Sequence, residues 1–154
     1  MNMKIMVIHG PNLNLLGQRE PQHYGNETLD QINQRLYQVA QELDIEIECH
    51  QTNSEGAFVE LIQKGSLHVD GFILNPAAYT HTSIAIRDAI LAVGIPAVEV
   101  HLSNPDKREP FRKVSYIADV VLARVIGFKS MSYELALRGL TSMLMDKKNS
   151  NVRV

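Results

Sequence analysis

Arg19 and Tyr24 stand close together near the end of the segment PNLNLLGQREPQHYG, Pro11 to Gly25, a cation beside a phenol. A phenol with an ordinary pKa of about 10 is only about 0.1% ionised at neutral pH, so a tyrosine serves as a base only beside a group that favours its anion. A guanidinium does this while staying protonated itself. The same two residues also fit an exposed tyrosine and an arginine paired at the surface with Glu20, and the segment alone does not choose. Its two glycines, two prolines and two asparagines predict a long loop without a regular element. Loops of about a dozen structureless residues in compact domains are usually functional or disordered. Leu13, Leu15 and Leu16 want burial, which argues against a disordered linker and makes the loop a candidate active-site lid.

The other residues suited to chemistry fall where short β-rich runs end. Asn75 and His81 follow one such run; His101 and Ser103 follow another. Glu99, two residues before His101 on a strand, points to the same face and is placed to orient the imidazole and keep it charged.

The elements that must position these groups alternate along the chain. Strands are predicted at Lys4–His9, Ile45–Gln51, Gly71–Asn75, Ala97–His101 and Asp119–Ile126. Thr28–Leu43 carries Leu29, Ile32, Leu36, Val39 and Leu43 on one helical stripe and opens with Thr28 and Gln31 at capping-box spacing. Ser54–Gly65 and Ser83–Ala92 predict shorter serine-capped helices. Tyr133–Met145 presents Tyr133, Leu137, Leu140 and Leu144 on one face, and Gly139 within it predicts a close contact there. Strands separated by helices imply right-handed crossovers and a parallel sheet covered on both faces. The expected fold is therefore α/β and flavodoxin-like, three layers with five parallel strands in the order 2-1-3-4-5. In such sheets ligands bind beyond the carboxyl ends of the strands near the topological switch point, where strands one, three and four would bring Asn12, Arg19, Tyr24, Asn75, His81, His101 and Ser103 together.

The 154 residues predict a single domain, 1–146, with the polar tail 147–154 frayed. A net charge of −2 gives no reason to expect nucleic acid or a membrane surface as partner. No apolar stretch is long enough to span a bilayer, and the N-terminus enters a strand without the pattern of a secretory signal. Cys49 is the single cysteine, so no intrachain disulfide forms and a reducing cytoplasm is the expected compartment. Cys49 itself reads as a small packing residue more readily than as a thiolate nucleophile.

Glycine-rich dinucleotide and P-loop motifs are absent, as are the α/β-hydrolase nucleophile elbow, H-E-x-x-H and C-x-x-C. His9, His81 and His101 could meet in the crevice, but no cysteine or carboxylate cluster stands at ligand spacing, so no metal is expected. A phosphoacceptor receiver needs acidic residues after strand one, where this chain has His9-Gly10-Pro11.

The pieces GPNLNLLGQREPQHYG, NPAAYTHTS, EVHLSN and REPFR, in this order and spacing, closely resemble the type II 3-dehydroquinate dehydratases over about residues 4–126. The resemblance implies a cofactor-free trans elimination of water from 3-dehydroquinate to 3-dehydroshikimate through an enolate, in the shikimate pathway of aromatic amino acid biosynthesis. It also implies a homo-oligomer, a dodecamer built as a tetramer of trimers. Matched position by position, Tyr24 is the base, Arg19 favours its anion, and His101 is the general acid. Asn12 acts through water on the enolate oxygen. Asn75, His81, Leu102, Ser103 and Arg112 hold the carboxylate and ring hydroxyls, and Asp88 reaches a neighbouring subunit's site. Arg108 fits the last piece but equally fits a solvated charge.

The chain departs from the family pattern late. Lys113 and Val114 stand where two histidines are usual, and GFKSMSYELAL lacks glycines common before the last helix. Two competing readings explain less: a non-catalytic flavodoxin-like module binding a small anion, and a lyase or isomerase acting on another hydroxy-keto acid by the same enolate route.

Overall fold

The computed structural model describes residues 2–18, 20–24 and 26–152, without the side chains of Pro21, Tyr24, Asn151 and Val152. Strand β1, Lys4–His9, is buried from Ile5 onward and supplies both faces of the core. Ile5 and Val7 pack on one side, Met6 and Ile8 on the other, as the two-residue period of a strand requires. The segment after it is not wholly irregular. A single 3-10 turn at Leu13–Leu15 and a helical turn, α1, at Pro21–Tyr24 interrupt the expected loop. Leu13 and Leu16 are buried as expected, whereas Leu15 is exposed.

Helix α2, Leu29–Glu42, begins with the capping box anticipated from Thr28 and Gln31, each side chain bonded to the other residue's backbone N–H. Strand β2, Glu46–Gln51, follows, then α3, Glu55–Gly65, capped by Ser54. Strand β3 is Gly71–Asn75, and Ser83 caps α4, Ile84–Val93. Strand β4, Ala97–His101, is buried throughout. Strand β5 is limited to Ala123–Ile126, half of the expected run, because 119–122 are taken up by turns and bends. Helix α5 starts at Met131 and continues to Val152, so most of the tail expected to fray is helical.

The five strands are parallel in the order β2-β1-β3-β4-β5. Helices α2 and α5 cover one face of the sheet, α3 and α4 the other, which yields the three layers. Burial on both faces explains why β1, β3 and β4 are nearly continuous apolar runs. The stripes of α2 (Ile32, Leu36, Val39) and α5 (Tyr133, Leu137, Leu140, Leu144) are buried in one cluster.

Two glycines behave differently. At Gly10 a side chain would put its Cβ 2.6 Å from the Pro76 carbonyl oxygen, so only glycine lets the exits of β1 and β3 approach. Its N–H donates to the Asn75 carbonyl at 2.8 Å. At Gly139 the expected close contact is absent: a Cβ would meet nothing within 4 Å. That helix face instead borders a shallow apolar groove beside β5, lined also by Leu135 and Met143.

Candidate active site

The order of the sheet puts the switch point at β1 and β3, and a cavity of about 140 Å³ lies beyond their carboxyl ends. Asn12, Asn75, His81, His101, Leu102, Ser103, Arg108 and Arg112 all line it. Segments far apart in the chain therefore converge as the topology requires. Asn12 has a left-handed backbone (φ 69°), a conformation asparagine tolerates, and its side chain makes no capping bond, so it is not spent on holding the turn. Its N–H donates to Asn53 Oδ1 at 3.0 Å.

His101 and Glu99 meet as their shared strand face predicts, Nε2 to Oε2 at 2.6 Å. Glu99 is fully buried, and burial works to raise its pKa. Hydrogen bonds and charges from His101 and Arg124 outweigh that and hold it below the usual carboxylate range. Arg124 Nε donates to Oε1 at 2.8 Å, and the Ser115 hydroxyl donates to Oε1 at 2.9 Å. Thr80 Oγ1 lies 3.4 Å from both Glu99 Oε2 and His101 Nε2. Glu99 thus stays ionised with its second oxygen aimed at the imidazole. Sequence reasoning missed Thr80, Ser115 and Arg124, whose contacts depend on strand register and a loop path that local patterns do not encode.

His81 is half-buried, and its Nδ1 lies 2.7 Å from the Val114 carbonyl. Burial depresses its pKa, aided by the charges of His101 and Arg112 and opposed by that backbone contact. The contact uses the backbone of Val114, so the departure in side chain at that position leaves it intact. Arg112 pairs with Glu109 at the cavity rim. Arg108 is not a solvated charge: its side chain is 7% exposed and lines the cavity, with Nη2 3.7 Å from Glu20 Oε2.

Arg19 lies outside the described residues, as does the Tyr24 side chain. The turn that carries Tyr24 is near the site nonetheless. Gln22 and His23 line a second cavity that shares Leu102, Ser103 and Arg108 with the first. Asp88 does not join either cavity; it is exposed on α4, while its neighbour Arg87 pairs with Asp119. His9 does not line the cavity, so it does not join His81 and His101 there. Among the described residues no group of histidines, cysteines and carboxylates is arranged to hold a metal ion. Cys49, on β2, has its thiol pushed up to about 12 by burial, which suits a packing residue and not a nucleophile. No helix among the described residues is long and apolar enough to cross a membrane.

The arrangement pairs a carboxylate-supported imidazole with amide and guanidinium donors in a small polar cavity, which suits proton transfer on a compact anion. The family model described as Dehydroquinase class II matches residues 3–141. A 3-dehydroquinate dehydratase of Geotalea daltonii is 60% identical over 138 residues, covering 90% of this chain and 96% of the relative. Another from Prochlorococcus marinus is 52% identical over 147 residues, covering 96% of this chain and 99% of the relative. The crystal structure of type II dehydroquinase from Butyrivibrio crossotus superposes with a TM-score of 0.88 at 42% identity, covering 93% of this chain and 97% of that one.

Proposed function

The chain belongs to the class II dehydroquinase family, a family of hydro-lyases, and from that premise we propose that it removes water from 3-dehydroquinate to give 3-dehydroshikimate. The observation that carries this reading is the buried Glu99–His101 pair opening onto a cavity walled by Asn12, Asn75 and Arg112.

In the proposed trans elimination, the Tyr24 phenolate, favoured by Arg19, takes the proton alpha to the ketone. The C–H electron pair moves into an enolate, whose oxygen is stabilised by Asn12 through a water molecule. Collapse of the enolate expels the hydroxyl at the beta carbon as His101 supplies the proton that makes it water. The cycle closes when the phenol gives a proton to solvent and the imidazole takes one back. Glu99 orients the imidazole and fixes which ring nitrogen faces it. Asn75, His81, Leu102, Ser103, Arg108 and Arg112 hold the substrate's carboxylate and hydroxyls.

Pathway, compartment and assembly follow from the same reading. The reaction serves the shikimate pathway of aromatic amino acid biosynthesis in the cytoplasm. The enzyme assembles into trimers within a dodecamer, with Asp88 contributing to the adjacent subunit's site. Its exposed position on α4 leaves it available for such a contact.

Incubating purified protein with 3-dehydroquinate tests the reaction directly. Growth of the conjugated enone's ultraviolet absorbance is expected; absence of turnover overturns the assignment.

A further inference from the structure

A line of polar side chains, half-buried at Asn33 and buried beyond it, runs from α2 into the cavity wall. Asn33 Oδ1 lies 2.7 Å from His9 Nε2, and His9 Nδ1 lies 2.8 Å from the Tyr133 hydroxyl. Asn75 Nδ2 donates to that hydroxyl at 2.9 Å, and Asn75 Oδ1 accepts from the Ala77 N–H at 3.1 Å. His9 and Tyr133 are fully buried and Asn75 is 3% exposed, so each polar atom must find its partner within the protein.

The direction of every bond follows. Asn75 Nδ2 is only a donor, so the Tyr133 oxygen accepts from it and turns its own O–H towards His9 Nδ1. Nδ1 must then be unprotonated, which places the imidazole proton on Nε2, where it is donated to Asn33. A neutral ring is what burial enforces, with the His9 pKa pulled down to about 4. At the other end, Ala77 is in the left-handed region (φ 52°) and offers its N–H to Asn75 Oδ1. Flipping the Asn75 amide would set two donors against each other at Ala77. One amide hydrogen of Asn75 is engaged by Tyr133, its oxygen is engaged by Ala77, and the second hydrogen remains for the cavity that Asn75 lines.

We propose that His9, Tyr133 and Asn33 are positioning residues that lock the Asn75 amide so that it offers the substrate an N–H and never a carbonyl. The inference rests on the role for Asn75 proposed above and adds a specificity rule: the substrate group facing Asn75 is a hydrogen-bond acceptor, a carboxylate or hydroxyl oxygen. None of the three lines the cavity, so they act through Asn75.

Steady-state kinetics with 3-dehydroquinate on Tyr133→Phe, Asn33→Ala, Asn33→Asp and Asn75→Ala tests this. Tyr133→Phe keeps the ring and removes the hydroxyl; KM is expected to rise roughly tenfold, the scale of one hydrogen bond, with kcat within about twofold of wild type. Asn33→Ala should raise KM in the same direction, and Asn33→Asp, which keeps the acceptor for His9 Nε2–H, should restore it. If Tyr133→Phe does not fold, as judged by circular dichroism, the Asn33 pair decides alone. An unchanged KM in folded Tyr133→Phe, or equal KM values for Asn33→Ala and Asn33→Asp, overturns the lock. If Asn75→Ala also leaves KM unchanged, the role of Asn75 in binding fails as well; if Asn75→Ala raises KM, only the lock fails.

Discussion

Glu99 and Arg124 are direct register partners on the neighbouring parallel strands β4 and β5, and their side chains meet at 2.8 Å, Nε to Oε1. The carboxylate is fully buried, whereas the guanidinium is one-third exposed, so Arg124 brings charge inward from the sheet edge. Arg124→Met should cost roughly 1–3 kcal/mol by leaving a buried acceptor short of a donor. Glu99 is ionised in the fold at pH values where its unfolded counterpart is becoming protonated, so its contribution is present above its ordinary pKa of 4.5 and lost as the pH falls through its lower folded value. Without Arg124 the folded value should rise towards the ordinary one, so that acid loss should be smaller and complete at higher pH. Thermal melts of the two proteins across the acid range check both expectations, and identical profiles would leave Arg124 without influence on Glu99.

His9 is a second source of acid sensitivity. Its pKa falls from 6.5 to about 4 on folding, chiefly through burial. Between those values the unfolded chain binds a proton that the native protein refuses, so stability rises with pH through that window. About 3 kcal/mol should be lost on descending through it, at roughly 1.4 kcal/mol for each pH unit crossed. His9→Phe, once folded, should show a flatter melting temperature between pH 6.5 and about 4 than the parent.

Gly139 sits within α5 with open space where a Cβ would point. Gly139→Ala should therefore stabilise the protein by up to ~1 kcal/mol, the propensity difference in a helix interior. A lower denaturation midpoint would show that the apolar groove there does not tolerate even a methyl group.

Tyr24→Phe and His101→Ala should each fold and lose on the order of 10²–10⁴ in kcat, the range for removing a general acid or base. The losses should differ in kind. Exchange of the alpha proton with solvent deuterium should survive in His101→Ala and disappear in Tyr24→Phe, because the proposed enolate forms before the hydroxyl leaves. Exchange retained by Tyr24→Phe would assign the base to another group.

Asp88→Ala should weaken substrate binding by roughly 1–3 kcal/mol if a partner in the adjacent subunit is left unpaired. Mixed trimers of Asp88→Ala and Tyr24→Phe subunits should recover some activity, since each lesion affects a different pocket. A fully active monomer, or no recovery in confirmed mixed trimers, would return Asp88 to a solvated helix face.

Periodicity, capping and motif spacing made most of the architecture legible. A continuous apolar run marks β1, the Thr28–Gln31 box marks the start of α2, and the polar residues at the ends of β1, β3 and β4 identify the edge where a site belongs. These signals are local, each contained within a few residues or one turn, so the chain itself carries them. Glu99 beneath His101 was equally legible, because two residues along a strand return to the same face. The boundaries of β5 and α5 were not: Asp119 is drawn into a pair with Arg87 ahead of the strand, and the polar tail continues a helix that is anchored by its apolar first half. Nor was the surrounding support. Arg124 reaches Glu99 through a sheet register set between separate strands, and His9 reaches Tyr133 across 124 positions of chain. Such contacts arise only when the layers close and each buried polar atom must take whatever partner the packing brings, which is why tertiary structure alone decided them.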